Sequence, residues 1–215
     1  TSAFKDVALS MLPQLLTAAK SAKGMEEDIL ILTATSGDTG KAALEGFHDV
    51  PGVRICVFYP HGGTSDMQRL QMVTQTGDNV NVFAVRGNFD DAQNGVKAIF
   101  TDPAVVKELE ERGVMLSSAN SINWGRLAPQ IAYYYWAYAQ LLKQGKIKMG
   151  DKINFSVPTG NFGDILAGYL AKKSGLPVDK LICASNENNV LTDFIKTGVY
   201  NKNRKFHLTD SPSMD

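Results

Sequence analysis

The chain has 215 residues, and its 22 Lys and Arg balance its 22 Asp and Glu. That length supports one large domain or two smaller ones with proper cores. Zero net charge argues against a basic nucleic-acid face, and no apolar run approaches the ~20 residues of a membrane helix, so neither nucleic acid nor a membrane is an expected partner.

Cys56 and Cys183 both sit in apolar, strand-like runs, the usual setting of buried free thiols in a reducing cytoplasm. A cytoplasmic location is therefore expected, and there is no signal-peptide pattern. His48, His61 and His207 lack the spacing of a metal site, and none is expected. The chain opens on Thr1 rather than Met and closes on polar residues 209–215, so it reads as an internal piece of a longer protein.

Residues 6–20 carry Val7, Leu9, Met11, Leu12, Leu15 and Leu16 at helical spacing. Pro13 is expected to kink this helix or to separate a first short turn from it. Lys5 stands just before the helix start, where the positive end of the dipole disfavours its charged form. A lysine made neutral in this way is a good Schiff-base nucleophile, although a lone lysine is more often simply solvated.

Residues 28–35 read as a strand and 41–47 as the start of a helix. Between them Thr35-Ser36-Gly37-Asp38-Thr39-Gly40 forms a glycine turn. A carboxylate at Asp38 would repel a phosphate. The loop suits a small anion held by N–H groups around Gly37 and Thr39, or a hydroxyl bonded by Asp38. The plainer alternative is that Ser36 or Asp38 is an N-cap.

A strand at 54–59 follows, then a helix capped by Ser65, a strand at 79–85, helices at 91–100 and 105–112, and a strand at 114–117. Such alternation predicts a parallel α/β sheet. Asn120, Asn123 and Arg126 then cluster between a strand end and a long helix expected over 127–142. That helix carries Tyr133, Tyr134, Tyr135, Trp136 and Tyr138, a run that suits a buried core or a subunit-facing surface.

Residues 153–157 read as a strand, and 165–171 as a helix. The turn between them, Gly160-Asn161-Phe162-Gly163-Asp164, has the form of an anion cup: glycines admit the backbone closely and helix-start N–H groups face the charge. It is neither a Walker loop nor a dinucleotide fingerprint, which also counts against a nicotinamide dehydrogenase. The alternative is an ordinary strand-to-helix turn capped by Asp164. A strand at 180–184, a polar loop at 185–189, a short helix at 190–198 and a polar loop from 199 complete the chain.

Ser2-Ala3-Phe4-Lys5-Asp6-Val7-Ala8-Leu9 resembles the lysine motif of the threonine synthase family. The similarity continues through Leu32-Thr33-Ala34-Thr35-Ser36-Gly37-Asp38-Thr39-Gly40, then Tyr59-Pro60-His61-Gly62 with Ser65 and Gln68. Further on lie Gly87-Asn88-Phe89-Asp90-Asp91-Ala92-Gln93, Asn120-Ser121-Ile122-Asn123-Trp124 with Arg126, and Gly160-Asn161-Phe162-Gly163-Asp164. Asn186, Asn188 and residues 208–214 resemble later segments of the family. The motifs span essentially the whole chain, in family order.

The resemblance implies a pyridoxal-phosphate enzyme of the tryptophan-synthase-β type, fold type II. The fold expected is α/β, with two parallel-sheet, three-layer αβα domains that are incomplete at both ends. Residues 6–117 would form the smaller domain and 118–215 part of the larger, cofactor-binding one, with 1–5 bringing the lysine to the cleft. Lys5 would form the internal aldimine. Gly160, Asn161, Phe162 and Gly163, with Asp164 beside them, would hold the cofactor phosphate. Ser36, Gly37, Asp38 and Thr39 would face the substrate carboxylate. Many relatives of the fold carry an asparagine at the position of Asp38, where it contacts the cofactor's ring hydroxyl; here that contact needs a shared proton. Asn120, Ser121 and Arg126 are the expected substrate contacts, the guanidinium suiting a phosphate dianion, with a structural salt bridge as the alternative for Arg126.

The implied reaction converts O-phosphohomoserine and water to threonine and phosphate, with Lys5 moving protons between the α, β and γ carbons. Another lyase of the fold, such as threonine dehydratase or cysteine synthase, is the alternative; Asp38 and the Asn120 to Arg126 motif count against it. A non-catalytic synthase-like homologue is the other. Family segments before the lysine and at the C-terminus, including the partner of the pyridine nitrogen, lie outside these residues. The isolated piece is accordingly expected to fold, to be inactive, and to bind the cofactor weakly or not at all.

Overall fold

The structure is a computed structural model that describes residues 3–201, 203–205, 207, 209–211 and 214. Thr1 and Ser2 of the expected lysine segment, and Leu208, Pro212, Ser213 and Asp215 near the end, lie outside the described residues. The chain divides into two compact units, Thr1–Arg126 and Leu127–Asp215.

The first unit contains α1 (Lys5–Ala22), β1 (Asp28–Ala34), α2 (Asp38–Phe47), β2 (Val53–Pro60), α3 (Asp66–Val73), β3 (Val80–Val85), α4 (Phe89–Thr101), α5 (Pro103–Glu111) and β4 (Val114–Ser117). A short α6 (Trp124–Leu127) spans the boundary. The strands form one parallel sheet in the order β3-β2-β1-β4. Chain order runs one way from β1 to β3 and then jumps back to β4. The carboxyl ends of β1 and β4 therefore flank a topological switch point, where ligands of open α/β sheets bind.

Alternation along the strands sorts side chains to two faces. Ile29 and Ile31 of β1, with Val53, Ile55, Val57 and Tyr59 of β2, pack on Leu9 and Leu12 of α1, Leu44 and Phe47 of α2 and Met72 of α3. Leu32 and Ala34, with Cys56 and Phe58 at the margin, pack on Ala92 and Val96 of α4. This is the three-layer αβα arrangement expected from sequence. Both cysteines are free, though half-buried rather than buried.

Pro13 does not divide α1, which runs unbroken from Lys5 to Ala22. A proline in mid-helix gives no N–H to the carbonyl four residues earlier, here that of Leu9. That carbonyl faces α2 at Gly46, where a Cβ would lie 2.1 Å from the Leu9 oxygen. The missing side chain lets the two helices touch backbone to backbone, and the freed carbonyl meets a Cα–H instead. Lys5 is thus the first helical residue rather than one standing before the helix.

In the second unit a short 3-10 turn (Ala128–Gln130) leads to α7 (Ile131–Lys143). β5 (Ile153–Pro158), α8 (Gly163–Lys173), β6 (Val178–Ala184) and α9 (Val190–Thr197) follow. β5 and β6 pair in parallel, with Val157 opposite Cys183. The single helix expected over 127–142 is broken because Pro129 cannot continue it and a 3-10 turn intervenes. The aromatic run divides by face. Tyr134 and Tyr138 enter the core with Val157, Ile165, Ala167 and Ala171, whereas Trp136 is 68% exposed.

Past α9 the described residues form no further strand, and His207 among them is tied down. Asn188 bonds the backbone of His207 twice, donating from Nδ2 to its carbonyl at 2.7 Å and accepting its N–H at 3.0 Å. Among the described residues no helix is long and apolar enough to cross a membrane, and no group of His, Cys, Asp and Glu could hold a metal.

Gly46→Ala is expected to lower stability by about 3 kcal/mol, because the intruding methyl meets backbone that cannot yield. Gly95→Ala in α4, where a Cβ meets nothing within 4 Å, should instead raise it by about 0.5–1 kcal/mol. Urea midpoints of the two variants check the pair.

Candidate active site

Lys5 heads α1 and is 9% exposed. Neighbouring Ala8, Leu9 and Leu12 are fully buried and draw the helix onto the sheet, so its first residue is carried inward with them. The N-cap, Phe4, gives no side-chain acceptor to the helix, and its ring lies 5.4 Å from the Lys5 ammonium. Burial pushes the Lys5 pKa down, and the Arg126 charge adds to the fall, whereas Asp38 opposes both. Burial is the largest of these causes. The amine is thus eased toward the neutral, nucleophilic form beside the Asp38 carboxylate.

That carboxylate is placed by the turn after β1. Thr35 is 2% exposed, and its Oγ1 accepts the N–H groups of Gly37 and Gly40, each at 2.9 Å. It fastens the turn from within. Gly37, the N-cap of α2, has φ +146°, a conformation that favours glycine. Asp38 follows as the first helical residue, so neither Ser36 nor Asp38 is the N-cap. Asp38 Oδ2 faces Lys5 Nζ at 3.6 Å, and Asp38 Oδ1 accepts from Gln68 Nε2 at 2.6 Å. Ser36 and Thr39 are half-buried on either side.

Residues after β4 build the other bank of the switch point. Asn120 donates from Nδ2 to the Ala34 carbonyl at 3.1 Å and accepts from Ser118 Oγ at 3.3 Å. Its side chain therefore stitches the β4 loop to the end of β1. Asn123 donates to the Ser118 carbonyl at 2.8 Å and accepts the Gly125 N–H at 2.9 Å, which sets the start of α6. Ser121 lies half-buried on the intervening turn. Arg126 is 2% exposed and its charge acts on Lys5.

In the second unit, Gly160, Asn161 and Phe162 form an exposed turn after β5, and Gly163 begins α8. Phe162 is the N-cap and provides no side-chain hydrogen bond, so Asp164 does not cap the helix. The helix start presents N–H groups toward the turn, a geometry that suits an anion. Asp164 instead receives the Tyr134 hydroxyl, at 2.8 Å on its carbonyl and 3.3 Å on its carboxylate. Burial, with the Asp164 charge behind it, pushes the Tyr134 pKa up, so the phenol remains a donor. A Cβ on Gly168 would stand 2.6 Å from the Tyr134 ring; the missing side chain lets that ring pack closely on α8.

Lys5, Asp38 and Arg126 thus meet in the first unit, whereas the Gly160 to Gly163 turn belongs to the second. Sequence reasoning passed over Thr35 and Gln68 as site residues. Both stand in stretches that carried the family resemblance, and that was the available signal. Their roles depend on contacts across elements that spacing does not show.

No family model matches the chain. It is 46% identical to threonine synthase of Pseudomonas aeruginosa over its whole length, which is 43% of that protein. It is 44% identical to human threonine synthase-like 1, again over the whole chain and 30% of the relative. The crystal structure of pyridoxal-phosphate-bound threonine synthase from Brucella melitensis superposes with a TM-score of 0.83 at 42% identity, covering 99% of this chain and 43% of that one. The fold is therefore the parallel-sheet α/β fold of the pyridoxal-phosphate-dependent threonine synthases. Over its full length the chain is a homologue of threonine synthases, and it spans less than half the length of these three relatives.

Two substitutions should move the Lys5 titration in opposite directions. Asp38→Asn removes the neighbouring anion and lowers its midpoint, while Arg126→Met removes the neighbouring cation and raises it. Site-resolved amine labelling against pH measures both. Tyr134→Phe should cost about 1 kcal/mol through loss of the bond to Asp164, read from a denaturant midpoint.

Proposed function

We propose that the protein carrying this chain is a pyridoxal-phosphate-dependent carbon–oxygen lyase of the threonine synthase type. It would convert O-phospho-L-homoserine and water to L-threonine and phosphate, the last step of threonine biosynthesis, in the cytoplasm. One observation carries the reading. In a chain 46% identical to a threonine synthase, Lys5 is buried and held toward its neutral form, with one carboxylate in front of it.

The residues fit the cofactor. A lysine must be neutral to attack an aldehyde, and burial of Lys5 works in that direction. A phosphate needs converging N–H donors without a carboxylate among them. The Gly160 to Gly163 turn meets that need at a helix start whose N-cap lends no side-chain acceptor. Asp38 rules out the same role for the Ser36 to Thr39 turn.

When bound, the cofactor supplies an electron sink for carbanion chemistry at the substrate. Gly160, Asn161, Phe162 and Gly163 hold its phosphate, and Asp164 secures the start of α8 through Tyr134. Lys5 Nζ would hold the cofactor and would be the group that moves protons among the substrate carbons. Ser36, Gly37, Asp38 and Thr39 face the substrate carboxylate and the ring hydroxyl. Asn120 and Ser121 contact the substrate from the facing loop, and Arg126 offers a guanidinium to its phosphate. Residues 6–117 act as the smaller domain and 118–215 as part of the larger, cofactor-binding one.

Comparable identity to threonine synthase-like 1 favours a second reading, a synthase-like homologue that does not perform this reaction. Phosphate release from O-phosphohomoserine by the full-length protein separates the two. The first reading predicts turnover that falls by about 10³-fold or more in Lys5→Ala, with the far-UV circular dichroism unchanged. A protein that binds the cofactor and releases no phosphate supports the second.

A further inference from the structure

Gln68 lies on α3, thirty residues from Asp38 in sequence, yet its side chain ends on that carboxylate. Ser65 fixes how it arrives. The Ser65 hydroxyl accepts the Gln68 backbone N–H at 3.3 Å and donates to Gln68 Oε1 at 3.1 Å. With Oε1 taken, Nε2 must point the other way, and an ionised carboxylate accepts but cannot donate. The amide orientation is therefore set from both ends. Gly37 makes room for it: a Cβ there would lie 2.4 Å from the Gln68 amide carbon and oxygen.

We propose that Gln68 is a positioning residue. Its N–H engages Asp38 Oδ1, which keeps Oδ2 turned toward Lys5 and keeps Asp38 a hydrogen-bond acceptor during the reaction. The inference rests on the reading of Lys5 as the reacting amine and extends it one shell outward, along Ser65, Gln68, Asp38 and Lys5. None of the first three touches the reacting carbons in this account. They govern how the amine meets its one neighbouring carboxylate.

Two features make the bond consequential rather than incidental. The Asp38 side chain is 30% exposed, so water reaches it, and the bond from Gln68 narrows the directions its carboxylate can take. Its bond to Gln68, at 2.6 Å, is short, as expected for a donor to a charged acceptor. Among the described residues, the charged groups that act on Lys5 are Asp38 at the head of α2 and Arg126 on α6, and the Phe4 ring lies against it. Of these, Asp38 opposes the effects of burial and of Arg126, so its aim bears on the balance.

The test is a double-mutant cycle on the full-length protein, read as the midpoint of Lys5 labelling against pH in the cofactor-free state and as the affinity for added pyridoxal phosphate. Gln68→Met removes the donor at nearly constant size. Gln68→Asn keeps the amide but withdraws it by one methylene, and serves if the first variant folds poorly. Each should lower the Lys5 midpoint in the same direction as Asp38→Asn and weaken cofactor binding several-fold. In the Asp38→Asn background each should add nothing to the midpoint. A merely structural role would produce the same change in both backgrounds, and that result, or no change in either, overturns the proposal. These midpoints do not depend on turnover. Failure of the protein to release phosphate would therefore sink the functional reading without being mistaken for failure of the cycle.

Discussion

The arrangement depends on one contact, the 3.6 Å approach of Lys5 Nζ to Asp38 Oδ2. Neither residue would hold its place alone. Lys5 is brought inward by the apolar face of α1, whose Leu9 and Leu12 are fully buried. Asp38 is brought there by a turn that Thr35 fastens from inside and that Gly37 alone can follow. The contact between α1 and α2 at Gly46 fixes the spacing of the helices that carry the two groups. A buried amine is costly to charge, and the Asp38 carboxylate partly offsets that cost. The net effect is a lowered pKa for an amine that the contact holds in place.

Two strand-turn-helix units of similar appearance are used differently. After β1, the Gly37 and Gly40 N–H groups are taken by Thr35, and a carboxylate opens the helix. After β5, the N-cap is Phe162, with no side-chain acceptor of its own, and the acidic residue of the first turn is occupied with Tyr134. The first turn is built to present an acceptor. The second is the turn we propose receives an anion, so that the same local architecture, changed at a few side chains, would serve opposite charges.

Much of the fold was legible because strands and helices alternate with strong periodicity, and β4 lies where the pattern placed it. The misses have particular causes. Pro13 suggested a break, but its freed carbonyl is accommodated by Gly46, on a helix whose approach no local pattern reveals. Pro129 was passed over inside an apolar aromatic run, where it ends a 3-10 turn's freedom to continue as one helix. Asn120 read as a substrate contact, and its bond from the amide nitrogen to Ala34 across the sheet is a further role that spacing does not show. Gln68 reaches Asp38 from a different helix. Lysine, glycine turn and aspartate announce themselves by type and spacing; the groups that hold them are defined only by the folded chain.

The central claim is that Lys5 is the amine that joins pyridoxal phosphate. Borohydride reduction of the full-length protein with the cofactor, followed by peptide mapping, tests it most directly. The account predicts a stable adduct on the peptide containing Lys5 and none there in Lys5→Ala. An adduct on another lysine, with the Lys5 peptide unmodified, would contradict it.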